Sequence, residues 1–259
     1  RRHAHGRTPA VHRSRRRDSG VRPSINLKSS VRIVEGDGTL DNPYRLEGDN
    51  DTDLSGTPLS SRYSGEYIRF GNEENNLYRI VSHENGIGTK ITSTEPLKSS
   101  EEFIESAFGN DVTFSNINTI GTFLNGEYLT SYVDSTYNNM IEDSTTWYLG
   151  TVRRGSSYKL AKYTTDNALT SMTTEAKVGL LRYGELMAGQ FDRVDNNTYY
   201  WSLTPYSTSV VWSVWSNAKA SSGNPLNTYG VRPSMNLKSN VVITDGDGTK
   251  NNPFTIELG

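Results

Sequence analysis

The chain has 259 residues, is one-third hydrophobic with a mean hydropathy of -0.65, and carries a formal charge of -2. That is long enough for a core of its own, yet no run approaches the ~18 apolar residues of a membrane span. There is no cysteine, which excludes disulfides, thiolate metal sites and cysteine nucleophiles and leaves the redox compartment undetermined.

Residues 1–19 hold seven arginines against the single acid Asp18, so residues 20–259 stand near -8. This leader has almost no apolar content and no periodicity, which predicts disorder. Clustered arginine suits phosphate, but the acidic body offers no basic face to continue the contact. The segment therefore reads as a tag, an unrelated leader or a mis-set start, and no nucleic-acid partner is expected. The chain does not begin with Met, which leaves room for an export signal outside it.

Gly20–Gly48 and Gly230–Leu258 match at 18 of 29 positions, through GVRPS, NLKS, GDGT and NP. Each copy reads as a strand-like run (NLKSNVVIT in the second), a Gly/Asp turn and a second short run, which predicts a hairpin. The 180 or so residues between them hold no further duplicate, so each copy is read as a domain ending. On that reading residues 20–48 are the C-terminal hairpin of a truncated preceding module. Residues 49–61, polar with Gly, Pro and Asp, are a linker, and residues 62–259 are one complete module.

Within the module, GEYIRFG and NLYRIVS alternate, and Asn85-Gly86 signals a hairpin before TKITS. Leu129, Tyr132, Val133, Tyr137, Met140 and Ile141 recur at helical spacing, which predicts an amphipathic helix over 126–141. A second short helix is expected at 183–188, after the strand-like VGLL. TYYWSLTP and SVVWSVWS alternate again, with Val210, Trp212 and Val214 on one face and Val211, Ser213 and Trp215 on the other. The stretch NAKASSGNPLNTY is expected to be a long loop leading into GVRP.

The YRIV strand, the helix after FLNGEYL, VGLLRYGEL, YYWSLTP, VVWSVWS and the closing GVRPSMNLKS together resemble a domain of Gram-positive surface and secreted proteins. That domain is similar to the formylglycine-generating-enzyme and sulfatase-modifying group, a variant of the C-type lectin fold that tends to close on a G-x-R strand. The resemblance covers most of residues 65–259, and its most specific pieces are YYWSLTP and GVRPSMNL. Ser202 and Leu203 stand where the pattern usually has Leu-Arg. It implies an α+β, C-type-lectin-like fold with mixed strands, one or two helices and long loops, displayed outside the cell. The enzymatic relatives use cysteines to hold copper, and this chain has none.

Among the candidate site residues, Arg22 and Arg232 sit between Val and Pro; a guanidinium there either ties loops together or clamps an anion. Asp245 and Asp247 alternate with Thr249 and Asn251 as oxygen ligands of calcium do, without the Gly and Glu of an EF-hand, and tight turns demand the same residues. His83 is the only His outside the leader, too little for a triad or a zinc site. Glu185 is the acid to inspect for a glycosidase-like carboxylate pair, or else a helix-surface charge. Trp201, Trp212 and Trp215 serve as core or as a platform. If Tyr206, Trp215, Asn217, Asn227 and Tyr229 gather on one side, they form a flat aromatic surface with amide donors.

The expectation is a non-enzymatic extracellular module for adhesion or for binding a host or microbial glycan or protein, in tandem with neighbouring modules and without a cofactor unless calcium serves. Two alternatives stay open: a spacer or pilus-type component that lends an edge strand, and a carboxylate-based hydrolase of the same fold.

Overall fold

The computed structural model describes residues 24–25, 27, 31–39, 41–48, 54–84, 88–153, 172–188 and 198–259. The basic leader, Arg22 and the Asn85-Gly86 turn lie outside the described residues. The chain divides into two units, Arg1–Asn50 and Asp51–Gly259.

In the first unit β1 (Val31–Glu35) and β2 (Arg45–Gly48) form an antiparallel hairpin with an irregularity between Ile33 and Glu35. Its turn is built by local chemistry. The Thr39 N–H and hydroxyl both donate to Asp37 Oδ1, at 3.0 and 2.7 Å, and Gly36 and Gly38 take positive φ.

The second unit opens with β3 (Tyr67–Arg69), β4 (Leu77–Glu84), β5 (Gly88–Ser93), β6 (Lys98–Ser99), β7 (Glu102–Phe103) and β8 (Glu105–Ala107). Helices α1 (Thr119–Asn125), α2 (Glu127–Ser131) and α3 (Ser135–Asn138) follow, then β9 (Thr145–Tyr148), β10 (Thr173–Ala176), β11 (Val178–Leu180) and α4 (Tyr183–Ala188). The last strands are β12 (Tyr200–Pro205), β13 (Val211–Val214), β14 (Ala220–Gly223), β15 (Thr228–Gly230), β16 (Pro233–Leu237), β17 (Val241–Asp245) and β18 (Thr255–Leu258). Strands far outnumber helical turns, and the fold is α+β. No helix among the described residues is long and apolar enough to cross a membrane.

Two five-stranded sheets carry the unit, in the orders β11-β16-β5-β4-β3 and β14-β13-β12-β15-β8. Among the described residues, the strand pairs within these two sheets are antiparallel except β12 with β15, and an isolated parallel bridge joins Ile68 of β3 to Phe254. One apolar core gathers Ile80, Ile91 and Met235 from the first sheet, Trp201, Leu203 and Val211 from the second, and Ile120, Leu124 and Tyr128 from the helices.

The single helix expected over 126–141 is instead α2 and α3 with a break at 132–134, preceded by α1. Gly126, at φ -125° and ψ -96°, ends α1, and Asp134 takes an extended conformation as the N-cap of α3. Of its apolar stripe Val133, Met140 and Ile141 are buried, while Leu129, Tyr132 and Tyr137 pack partly buried against the core; the backbone breaks ahead of Asp134, a weak helix former. The expected loop 217–229 contains β14 and β15, which complete the second sheet. NLKSNVVIT is not one strand: it bends at 238–240, leaving Asn236 and Leu237 in β16 and starting the closing hairpin at Val241. The second half of the expected linker belongs to the module, because Leu59 is buried and Gly56 and Thr57 pair with Ile243 at 2.8 and 2.9 Å. The short helix at 183–188 stands where the sequence placed it.

Candidate functional site: two aromatic faces of one sheet

The second sheet positions the aromatic residues. Tyr200 lies opposite Val214 and Trp201 opposite Ser213, so by alternation Tyr199, Trp201 and Trp215 share one face, while Tyr200 and Trp212 share the other.

On the first face five rings run in contact from core to surface. Phe108 meets Trp201 edge-on at 5.6 Å, Trp201 meets Tyr229 at 4.3 Å, Tyr229 stacks on Tyr199 at 5.2 Å, and Tyr199 meets Trp215 edge-on at 5.9 Å. Exposure climbs along the series: Phe108 is fully buried, whereas Tyr199 is 38% and Trp215 42% exposed. The inner end is fixed by the Trp201 indole N–H, which donates to the Ser106 carbonyl at 2.9 Å. Tyr229 lies so close to Gly223 that a β-carbon there would come within 2.6 Å of its ring. The Asn227 amide donates to the Tyr229 hydroxyl at 3.1 Å, so the outer end presents flat aromatic area beside an amide and a hydroxyl.

The opposite face carries a cleft of about 610 Å³. Trp212 forms its floor, stacked on Tyr183 at 4.0 Å and met edge-on by Tyr206 at 4.8 Å. Its indole N–H donates to the Val152 carbonyl at 2.6 Å, and Arg153, Ser221 and Ser222 complete the rim.

The five residues expected to gather are therefore divided. Trp215, Asn227 and Tyr229 belong to the exposed row. Asn217 sits in the tight turn after β13, where its Oδ1 accepts from the Lys219 N–H at 3.3 Å. Tyr206 is not with them, because it packs on Trp212, which alternation sends to the other face. Tyr199, Tyr183 and Arg153 were not anticipated. Tyr199 sits two residues before Trp201 in the same alternating run, a signal present in the sequence, whereas the packing of Tyr183 on Trp212 depends on where a helix docks.

Arg232 is buried in the role of a tie: its Nε donates to the Ser93 carbonyl at 2.7 Å and its Nη1 to the Tyr200 hydroxyl at 3.3 Å. Glu185 is committed at both oxygens. Oε1 takes Lys90 Nζ at 2.6 Å, and Oε2 accepts the Arg182 N–H at 2.8 Å, a helix-starting contact from the third residue of α4 back to its cap. Lys90 is buried, with its ammonium 4.8 Å from the Trp147 ring.

His83 Nε2 lies 2.6 Å from the Arg62 carbonyl and Nδ1 3.0 Å from the Thr89 hydroxyl. A carbonyl only accepts, so Nε2 carries the proton and Nδ1 of the neutral ring accepts from Thr89. Partial burial lowers its pKa, against the opposing pull of the Arg62 carbonyl and Glu66.

Asp245 Oδ1 accepts the Gly246 N–H at 2.7 Å and Asp247 Oδ1 the Thr249 N–H at 2.9 Å. Hydrogen bonds from the Thr249 hydroxyl and N–H hold the Asp247 carboxyl below its usual range, as Thr39 does for Asp37. These oxygens serve the turn. Among the described residues no three His, Asp or Glu side chains gather as a metal site.

Compared with family models, curated proteins and solved structures, the chain matches none.

Proposed function

We propose that the chain is a non-enzymatic binding module displayed outside the cell, with a C-type-lectin-like fold, and that it recognises a glycan through the exposed end of the aromatic row. The observation that carries this reading is the series of ring contacts from Phe108 to Trp215. A large aromatic residue left exposed but held by rings rooted in the core is preorganised, and preorganisation lowers the ordering cost of binding. Sugars present apolar C–H faces and hydroxyls together, which suits a Tyr199–Trp215 platform edged by the Asn227 amide and the Tyr229 hydroxyl. The GVRP segment that leads into β16, with β3 beside the final hairpin at Ile68 and Phe254, supports the fold assignment. Both Glu185 oxygens being engaged favours binding over carboxylate hydrolysis.

A second location for the same activity is the Trp212 cleft, whose volume of about 610 Å³ lies in the range of small-ligand sites. A glycan array probed with the full chain, with and without calcium, beside Trp215→Ala and Arg153→Ala variants, tests both. Signals lost only in Trp215→Ala support the row, and signals lost only in Arg153→Ala move the site to the cleft. An array with no specific signal removes the glycan reading.

A further inference from the structure

The two copies of the domain ending fold alike and are buried very differently. Both hairpins pair in the same register, with the irregularity at Ile33/Glu35 in one and Ile243/Asp245 in the other. Both turns use Asp, Thr and a pair of positive-φ glycines in the same places. Position by position, 210 residues apart, Ile33 is 55% exposed against 0% for Ile243, Tyr44 51% against 0% for Phe254, and Leu46 48% against 7% for Ile256. Ile25 and Leu27 are exposed as well, while their counterparts Met235 and Leu237 are fully buried in β16.

What covers the second copy is known in detail. β3 lies along Phe254, whose N–H donates to the Tyr67 carbonyl at 2.9 Å and whose carbonyl accepts from the Arg69 N–H at 2.8 Å. The Gly248 carbonyl accepts the Tyr67 N–H at 2.8 Å, the Arg62 guanidinium lies 5.3 Å from the Phe254 ring, and the Gly56–Thr57 backbone pairs with Ile243. The slot is thus made of residues 54–69, with β5 and β11 flanking β16. A two-stranded hairpin alone is marginal in water, and its apolar positions here match those the slot buries.

We propose that the β1–β2 hairpin is a donor that docks into a module body of this build, in the slot that the β17–β18 hairpin fills, and that a second copy of this chain with a weakened ending accepts it. The mode is strand addition: main-chain pairing with β3 gives affinity, and Ile33, Tyr44 and Leu46 fill the pockets of Ile243, Phe254 and Ile256. Each copy is then both donor and acceptor, so the assembly grows head to tail.

The test uses the full chain. Phe254→Ala loosens the native ending, and Tyr44→Asp or Tyr44→Phe disables or improves the donor. Mass by light scattering across a concentration series and the thermal midpoint are read for each. In the Phe254→Ala background we expect concentration-dependent oligomers that Tyr44→Asp abolishes, a midpoint that rises with concentration, and a further gain with Tyr44→Phe. In the native background neither Tyr44 substitution moves the midpoint by more than about 1 °C, since a surface change is nearly neutral there. Should Phe254→Ala not fold, Ile256→Ala with Leu46→Asp makes the same comparison. A mass that stays monomeric throughout, or a midpoint that ignores Tyr44 in both backgrounds, overturns the proposal.

Discussion

At the scale of single residues, the buried polar contacts give the sharpest expectations. The Tyr78 and Tyr128 hydroxyls share a hydrogen bond of 2.8 Å in the core, where burial raises both pKa values. Tyr128→Phe strands the Tyr78 hydroxyl and is expected to cost about 1–3 kcal/mol. Replacing both by Phe is expected to cost less than the sum of the single changes, because it leaves no unpaired polar atom; denaturant titration of the three variants reads this. Glu185→Ala leaves the buried Lys90 ammonium without its partner, a loss of about 3–5 kcal/mol for a buried pair, checked by the same method. His83 titrates in the other direction from most paired histidines. Its folded pKa is lowered, so the unfolded chain takes up its proton first, and stability is full above the ordinary His pKa of about 6.5 and falls as pH drops through that value. Midpoints measured from pH 8 to 5.5 should decline, and His83→Gln should flatten that part of the curve.

At the scale of elements, the turns and strands explain what the sequence could and could not convey. The closing hairpin was legible because Gly, Asp and Thr specify it locally. Gly248, at φ 75°, sits where a β-carbon would come within 2.5 Å of the Phe254 ring, so Gly248→Ala should lower stability by more than about 1 kcal/mol, measurable as a drop in thermal midpoint. Helix α4 was legible from a short apolar run, and Glu185 reaching back to the Arg182 N–H gives it a start. The strands β14 and β15 were not legible, since ASSG and TYG carry little hydrophobic pattern and exist as strands through their neighbours β13, β12 and β8. The break between α2 and α3 was missed for the converse reason: the apolar spacing was sound, but it reports which side chains are buried, not whether the backbone between them is continuous.

At the scale of the whole molecule, the aromatic face was only partly legible. Alternation separates Trp212 from Trp215, yet which further rings join each depends on the parallel contact of β12 with β15 and on the docking of α4, neither of which is local. The pairing of β12 with both β13 and β15 brings Tyr199, Trp215 and Tyr229 into one row, rooted through Trp201 and Phe108 in the core. That row is the centre of the functional account. Trp215 lies half-exposed at its outer end, so its removal should change binding without changing folding. The most direct measurement is a titration of a glycan identified on the array against the native chain and Trp215→Ala, with thermal midpoints recorded for both. An affinity loss of about tenfold or more, roughly 1.4 kcal/mol, is expected, with midpoints that agree within a few degrees. Equal affinity in two equally stable proteins would contradict it.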